Sequence, residues 1–178
     1  MILYHYSEDM ALLPEIKERR SIKRFKPAPV EKSKLDQILE AGRLAPSAKN
    51  RQEWRFVVIQ KDSLRQRIRE AAFGDDKVGQ APVIIALCTT NIEYIMPNGQ
   101  LSYPIDLAFA AAFMCLQAQA EGLGTCCHTT FDEQMVRDLI TVPYSMRVVL
   151  LLLVGYPEEI PEGASRKPLR RIVAYDHW

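Results

Sequence analysis

Residues 21–59 read SIKRFKPAPVEKSKLDQILEAGRLAPSAKNRQEWRFVVI, and the change of hydrophobic period inside this stretch decides the fold class. Over residues 32–44, Leu35, Ile38, Leu39 and Gly42 recur at helical spacing on one face and Pro46 follows as a stop, so the spacing predicts an amphipathic helix. Residues 54–60 form a short apolar and aromatic run whose length suits a buried strand better than a helix.

Outward from there the alternation continues. A helix is expected from a cap at Asp62 or Ser63 through Ala72, with Gly74 breaking it, and a second buried strand over residues 83–89. Residues 105–121 are Ala-rich, with Phe109, Phe113, Met114 and Leu116 spread around the helix and Gly122 as its stop. A helix apolar on most sides must be buried on most sides, by running through the core or by lying under a second subunit. Asp132 caps a further helix carrying Val136, Leu139 and Ile140, and MRVVLLLLVGYP (146–157) is the most pronounced strand signal. The interleaving predicts a mixed α/β class, with strand order left open.

A length of 178 residues suits one domain over residues 1–178. The net charge of +1 argues against a general polyanion binder. The start, MILYHYSEDMALLPEIKERR, has no basic region followed by a long apolar run, and no apolar stretch has membrane-spanning length. A cytoplasmic protein with no membrane partner is expected. The four Cys lack C-x-x-C spacing, so reduced thiols and no metal are expected. The polar tail, residues 158–178, stays ordered only by packing on something.

Two clusters carry binding chemistry. Arg19, Arg20, Ser21 and Lys23 combine guanidinium, hydroxyl and ammonium donors suited to a phosphate, and Arg166 and Lys167 in the tail could converge on the same group. The competing reading is a solvated basic surface. In the loop at Pro46, Ser47, Asn50 and Gln52 the amides present donor and acceptor edges complementary to a heterocycle, although a plain helix-to-strand loop has the same composition. EGLGTCCHTTFDE holds Gly122 and Gly124 but no G-x-G-x-x-G, and it follows a helix; no P-loop, G-x-S-x-G or H-E-x-x-H occurs. His128 beside Cys127 has no recognisable nucleophile setting. Binding groups without reactive ones are the profile of a protein whose cofactor carries the chemistry.

Taken in order, RRSIKRF, LAPSAKNRQEW, QAPVIIAL, GLGTC, TFDE, VGYPEE and RKPL, spanning residues 19–169, resemble the nitroreductase family of FMN-dependent flavoproteins. The resemblance implies a mixed central sheet flanked by helices and a homodimer with FMN at the subunit interface. It also implies a tail (about 158–178) that packs on the partner subunit. Carried over by motif, Arg19, Arg20 and Ser21 would hold the FMN phosphate and Lys23 would lie near the flavin pyrimidine. Pro46, Ser47, Asn50 and Gln52 would reach FMN from the partner. Cys127 and His128 would lie beside the ring, and Arg166 and Lys167 would add phosphate contacts.

Such enzymes pass hydride from NADH or NADPH through FMN to a nitroaromatic, quinone or related small acceptor by a ping-pong mechanism, so no side chain is named catalytic. Glu53 stands where the family often has proline, and Cys126-Cys127-His128 replaces a bulkier Trp-containing stretch. Competing readings are same-fold chemistry (dehalogenation or flavin fragmentation), a slow FMN-binding store or sensor, and a nucleic-acid patch at RRSIKRFK, the last weakened by the near-neutral charge.

Overall fold

The computed structural model describes residues 11–178; the reading of residues 1–10 as free of a secretory pattern lies outside them. The elements are α1 (Pro14–Glu18), α2 (Lys32–Arg43), β1 (Trp54–Ile59), α3 (Asp62–Ala71), α4 (Asp76–Gln80), β2 (Val83–Thr89), α5 (Tyr103–Ala120), β3 (Gly124–His128), α6 (Glu133–Leu139) and β4 (Arg147–Gly155). Four strands pair in the order β1-β2-β4-β3, every neighbour antiparallel. The parallel element is one isolated bridge, Ser21 to Thr125.

The two central strands explain why the sheet forms where it does. VIIALCT is buried at every position and RVVLLLLVG at nearly every one, as strands covered on both faces must be. Alternation then divides their side chains between two layers. Val83, Ile85, Leu87, Leu150, Leu152 and Val154 pack with Leu35 and Ile38 of α2 and Leu107, Ala110 and Met114 of α5. Ile84, Ala86, Leu151 and Leu153 pack with Ile68 of α3, Val78 of α4 and Val136 of α6. Each such Leu or Ile contributes about 1.5–3 kcal/mol relative to exposure.

Set against the sequence expectations, the helix caps, strand β3 and helix α5 matter most. Lys61, without a side-chain bond, occupies the cap position of α3; Asp62 is its first residue and binds Arg65 at 2.8 Å. Asp132 does cap α6, its Oδ1 accepting from the Met135 amide at 3.0 Å. Strand β3 was not anticipated, because GTCCH is short and carries no alternating pattern. Finally, within one chain α5 is buried on one side only, so of the two expected ways of covering it a path through the core is not the one seen: away from Leu107, Ala110 and Met114, Phe109 and Phe113 are 45% and 39% exposed. Among the described residues no helix is long and apolar enough to cross a membrane, and no group of three or more His, Cys, Asp or Glu could hold a metal ion.

Candidate functional site

The first basic cluster is carried by an extended segment that lies along the sheet. Ser21 bridges Thr125 of β3, the Ile22 amide donates to the Thr125 carbonyl at 2.9 Å, and Phe25 bridges Pro157 beyond β4. The Lys26 amide donates to the Tyr156 carbonyl, also at 2.9 Å, and the Glu158 amide to the Arg24 carbonyl at 3.0 Å. Ile22 and Phe25 point inward, 3% and 5% exposed. Ser21 and Lys23, which flank Ile22 in the extended chain, are exposed on the opposite side from it.

Two glycines make this seat. A Cβ on Gly124 would stand 2.3 Å from Ile22 Cγ1, and one on Gly155 would stand 2.5 Å from the Pro82 ring and 3.0 Å from Phe25. The GLG and VGYP motifs thus leave room for the segment, a packing role instead of a nucleotide loop. Arg20 turns aside: its Nη1 donates to the carbonyls of Lys17 and Arg19 at 2.9 and 3.0 Å. It borders a cavity of about 450 Å³ shared with Ile22, Gly124, Ile160 and Gly163.

The loop of Pro46, Ser47, Asn50 and Gln52 is built differently. Lys49, Asn50 and Gln52 have φ of 52°, 55° and 53°, the left-handed region that costs L-residues energy and that gathers at functional sites. Side chains hold it there. The Ala48 amide donates to Oδ1 of buried Asp106 at 2.9 Å, and the Gln52 amide to Ser47 Oγ at 3.0 Å. Gln52 Nε2 donates to Asn50 Oδ1 at 3.0 Å. The Arg51 guanidinium lies 3.8 Å from the Tyr94 ring centre, with Lys49 at 5.5 Å. Asn91 Nδ2 donates to Glu53 Oε1 at 3.1 Å, so the position where the family often has proline is a polar anchor.

Asp106 and Tyr94 were missed as contributors. Asp106 did leave a signal, as the one acidic residue in the Ala-rich helix α5; Tyr94 left none.

Strand β3 separates its two candidate residues. Thr125 and Cys127 share one face, toward α5, where Cys127 Sγ lies 3.9 Å from Cys115 Sγ. Cys126 and His128 take the other face, where Cys126 joins the layer under α3 and α6. His128 is 5% exposed and its Nε2 has no partner. Burial, with Lys77 nearby, holds its pKa below the usual 6.5. Its side chain thus points away from the Arg19 side, which leaves its backbone as the part available there.

The tail meets the first cluster at one point, where a Cβ on Gly163 would stand 3.1 Å from Arg20 Nη2. Arg166 and Lys167 lie beyond it and are exposed, Arg166 Nη1 donating to the Ala164 carbonyl at 3.4 Å. The 46–52 loop is tied to α5 at Asp106, nine residues before Cys115, which is the part of the helix near Arg19. That separation is about 13 Å along the helix axis.

The nitroreductase family model matches residues 16–75 and 72–156. An NADH dehydrogenase of Thermus thermophilus is 31% identical over 189 residues, covering 89% of this chain and 92% of that protein. An FMN reductase [NAD(P)H] of Bacillus subtilis is 25% identical over 174 residues, covering 88% and 70%. The crystal structure of a nitroreductase family protein from Clostridium difficile 630 superposes with a TM-score of 0.83 at 30% identity, covering 95% of this chain and 100% of that one. Relatives with other chemistry in their names include an iodotyrosine deiodinase of Thermotoga neapolitana, 24% identical over 80% of this chain and 87% of its own length. A 5,6-dimethylbenzimidazole synthase of Rhodobacter capsulatus is 26% identical, covering 83% and 84%. Matched by the family model across most of its length and sharing its fold with a family member, the chain belongs to the nitroreductase family.

Proposed function

We propose that the chain is an FMN-dependent, NAD(P)H-consuming oxidoreductase acting on nitroaromatics, quinones or related small acceptors. The observation that supports this reading is the Ser21–Thr125 bridge, which holds the segment carrying Arg19, Ser21 and Lys23 along β3 with Ser21 and Lys23 exposed. The donor set fits FMN: cationic and hydroxyl donors suit its phosphate, and the Asn50 and Gln52 amides suit the edge of its ring. FMN, when bound, supplies the two-electron chemistry, accepting hydride from NADH or NADPH and passing it on in a separate half-reaction.

The chain's own residues bind and orient. Arg19 and Ser21 hold the phosphate, Arg20 frames the adjoining cavity, and Lys23 supplies an exposed ammonium that favours negative charge beside it. Arg166 and Lys167 extend the phosphate contacts from the tail. Two features support a homodimer. Phe109 and Phe113 leave an apolar side of α5 uncovered. The 46–52 loop also meets α5 about 13 Å from the Arg19 end, so it serves a partner's site better than its own.

The test is the visible spectrum of the purified protein, followed by anaerobic addition of NADH and then NADPH. A yellow protein that bleaches with a nicotinamide and recovers its colour with a quinone or nitroaromatic is the expected result. Bleaching without recovery, joined to turnover of an iodinated tyrosine or breakdown of the flavin, moves the chain to the chemistry its other relatives are named for. A colourless protein that takes up no FMN overturns the reading.

A further inference from the structure

We propose that Cys115 and Cys127 form an oxidisable thiol pair that closes to a reversible disulfide between α5 and β3. Four thiols are present and their placements differ. Cys88 is fully buried in β2, and burial pushes its pKa up to about 12, which leaves it inert. Cys126 faces the opposite side of the sheet, where burial also raises its pKa. Cys115 and Cys127 meet with their sulfurs 3.9 Å apart; Cys115 is buried in the face of α5 that meets the sheet, and Cys127 is exposed on the edge strand. Reaching the roughly 2 Å of a disulfide requires rotation of the two side chains, and the exposed member gives an oxidant its entry.

The surroundings favour a thiolate. The hydrogen bond shared with Cys127, aided by Thr125 and the Arg19 charge, outweighs burial and lowers the pKa of Cys115. The same shared proton raises Cys127. The shared proton thus rests on Cys127 and must pass to Cys115 within the hydrogen bond before the exposed sulfur can act as the nucleophile. With a hydroperoxide as oxidant, the Cys127 thiolate takes one oxygen as the O–O bond breaks, and the departing hydroxide or alkoxide is protonated. The Cys115 sulfur then attacks the resulting sulfenic sulfur, and the S–O bond breaks with loss of water. For hydrogen peroxide the sum is two thiols oxidised by two electrons, one peroxide reduced to two waters, and both thiol protons carried into those waters. None of these steps needs a flavin, so the inference stands apart from the proposed activity.

The test treats the reduced, purified protein with hydrogen peroxide, blocks remaining thiols with an alkylating agent after denaturation, and weighs it intact. The four alkylatable thiols are expected to fall by half, and dithiothreitol should restore them. Cleavage after Glu93, Glu121 and Glu133 places Cys115 and Cys127 on separate peptides, which should emerge joined. Cys115→Ser and Cys127→Ser should each abolish the joined species, and Cys126→Ser should keep it. A link through Cys126, oxidation that stops at sulfinic or sulfonic acid, or four thiols unchanged would each overturn the proposal.

Discussion

The two stretches that flank α2 are both polar and both belong to the proposed site, yet they are held by opposite means. The segment of Arg19, Ser21 and Lys23 is pinned by its backbone to β3 and to the exit of β4, with Ile22 and Phe25 sunk into the core and two glycines cleared for them. The 46–52 loop has almost no buried anchor of its own. It sits in a strained conformation at Lys49, Asn50 and Gln52, and it is propped by side chains from elsewhere, Asp106 and Tyr94 above all. A position fixed by packing shares the stability of the whole sheet. One fixed by polar props over left-handed residues, which cost on the order of 1–3 kcal/mol each, is drawn from the less stable end of the molecule.

The largest effect is expected at the packed segment. Ile22→Ala removes a side chain that is 3% exposed and should cost about 2–5 kcal/mol of global stability in chemical denaturation. A loss below about 0.5 kcal/mol would mean that the segment is not part of the core. At the loop the damage should stay local. Asp106→Ala leaves the Ala48 amide without its acceptor, a penalty of about 1–3 kcal/mol. Hydrogen exchange should quicken at Ala48 and through the loop while β2 and β4 keep their protection. Uniform loss across the sheet would erase the contrast between the two regions.

A smaller effect concerns the back of β3. With its pKa held below 6.5 in the fold, His128 binds more protons in the unfolded chain than in the folded one as pH falls past that value. Its contribution is complete above about pH 6.5 and is lost as pH falls through the folded value. His128→Gln should flatten this acid limb of the stability profile; an unchanged limb would place the titration elsewhere.

How much of this the sequence disclosed follows from the kind of force involved. Helix α2 and strands β1, β2 and β4 were legible because their burial is periodic or continuous, and periodicity survives in sequence. Strand β3 was not, because GTCCH earns its pairing from neighbours: Leu151 to Gly155 on one side and Ser21 on the other. The outward set Ser21 and Lys23 was legible as a motif, and their common face became visible only once Ile22 had a place to point. The loop's residues were visible as candidates, but their left-handed backbone and the props at Asp106 and Tyr94 are long-range contacts that no local pattern encodes. The split of Cys127 from His128 follows from simple alternation, and it was hidden only because the strand itself was.

The central claim is that the packed segment seats a phosphate, and comparison of FMN with riboflavin, which lacks that group, tests it most directly. Flavin-free protein would be titrated with each and followed by flavin fluorescence, in the wild type and in Arg19→Ala. A charge-assisted phosphate contact contributes about 1.5–3 kcal/mol, so FMN should bind the wild type at least about tenfold more tightly than riboflavin. Arg19→Ala should remove most of that difference while leaving riboflavin affinity in place. Equal affinities for the two flavins in the wild type, or a preference for FMN that survives Arg19→Ala intact, would contradict the account.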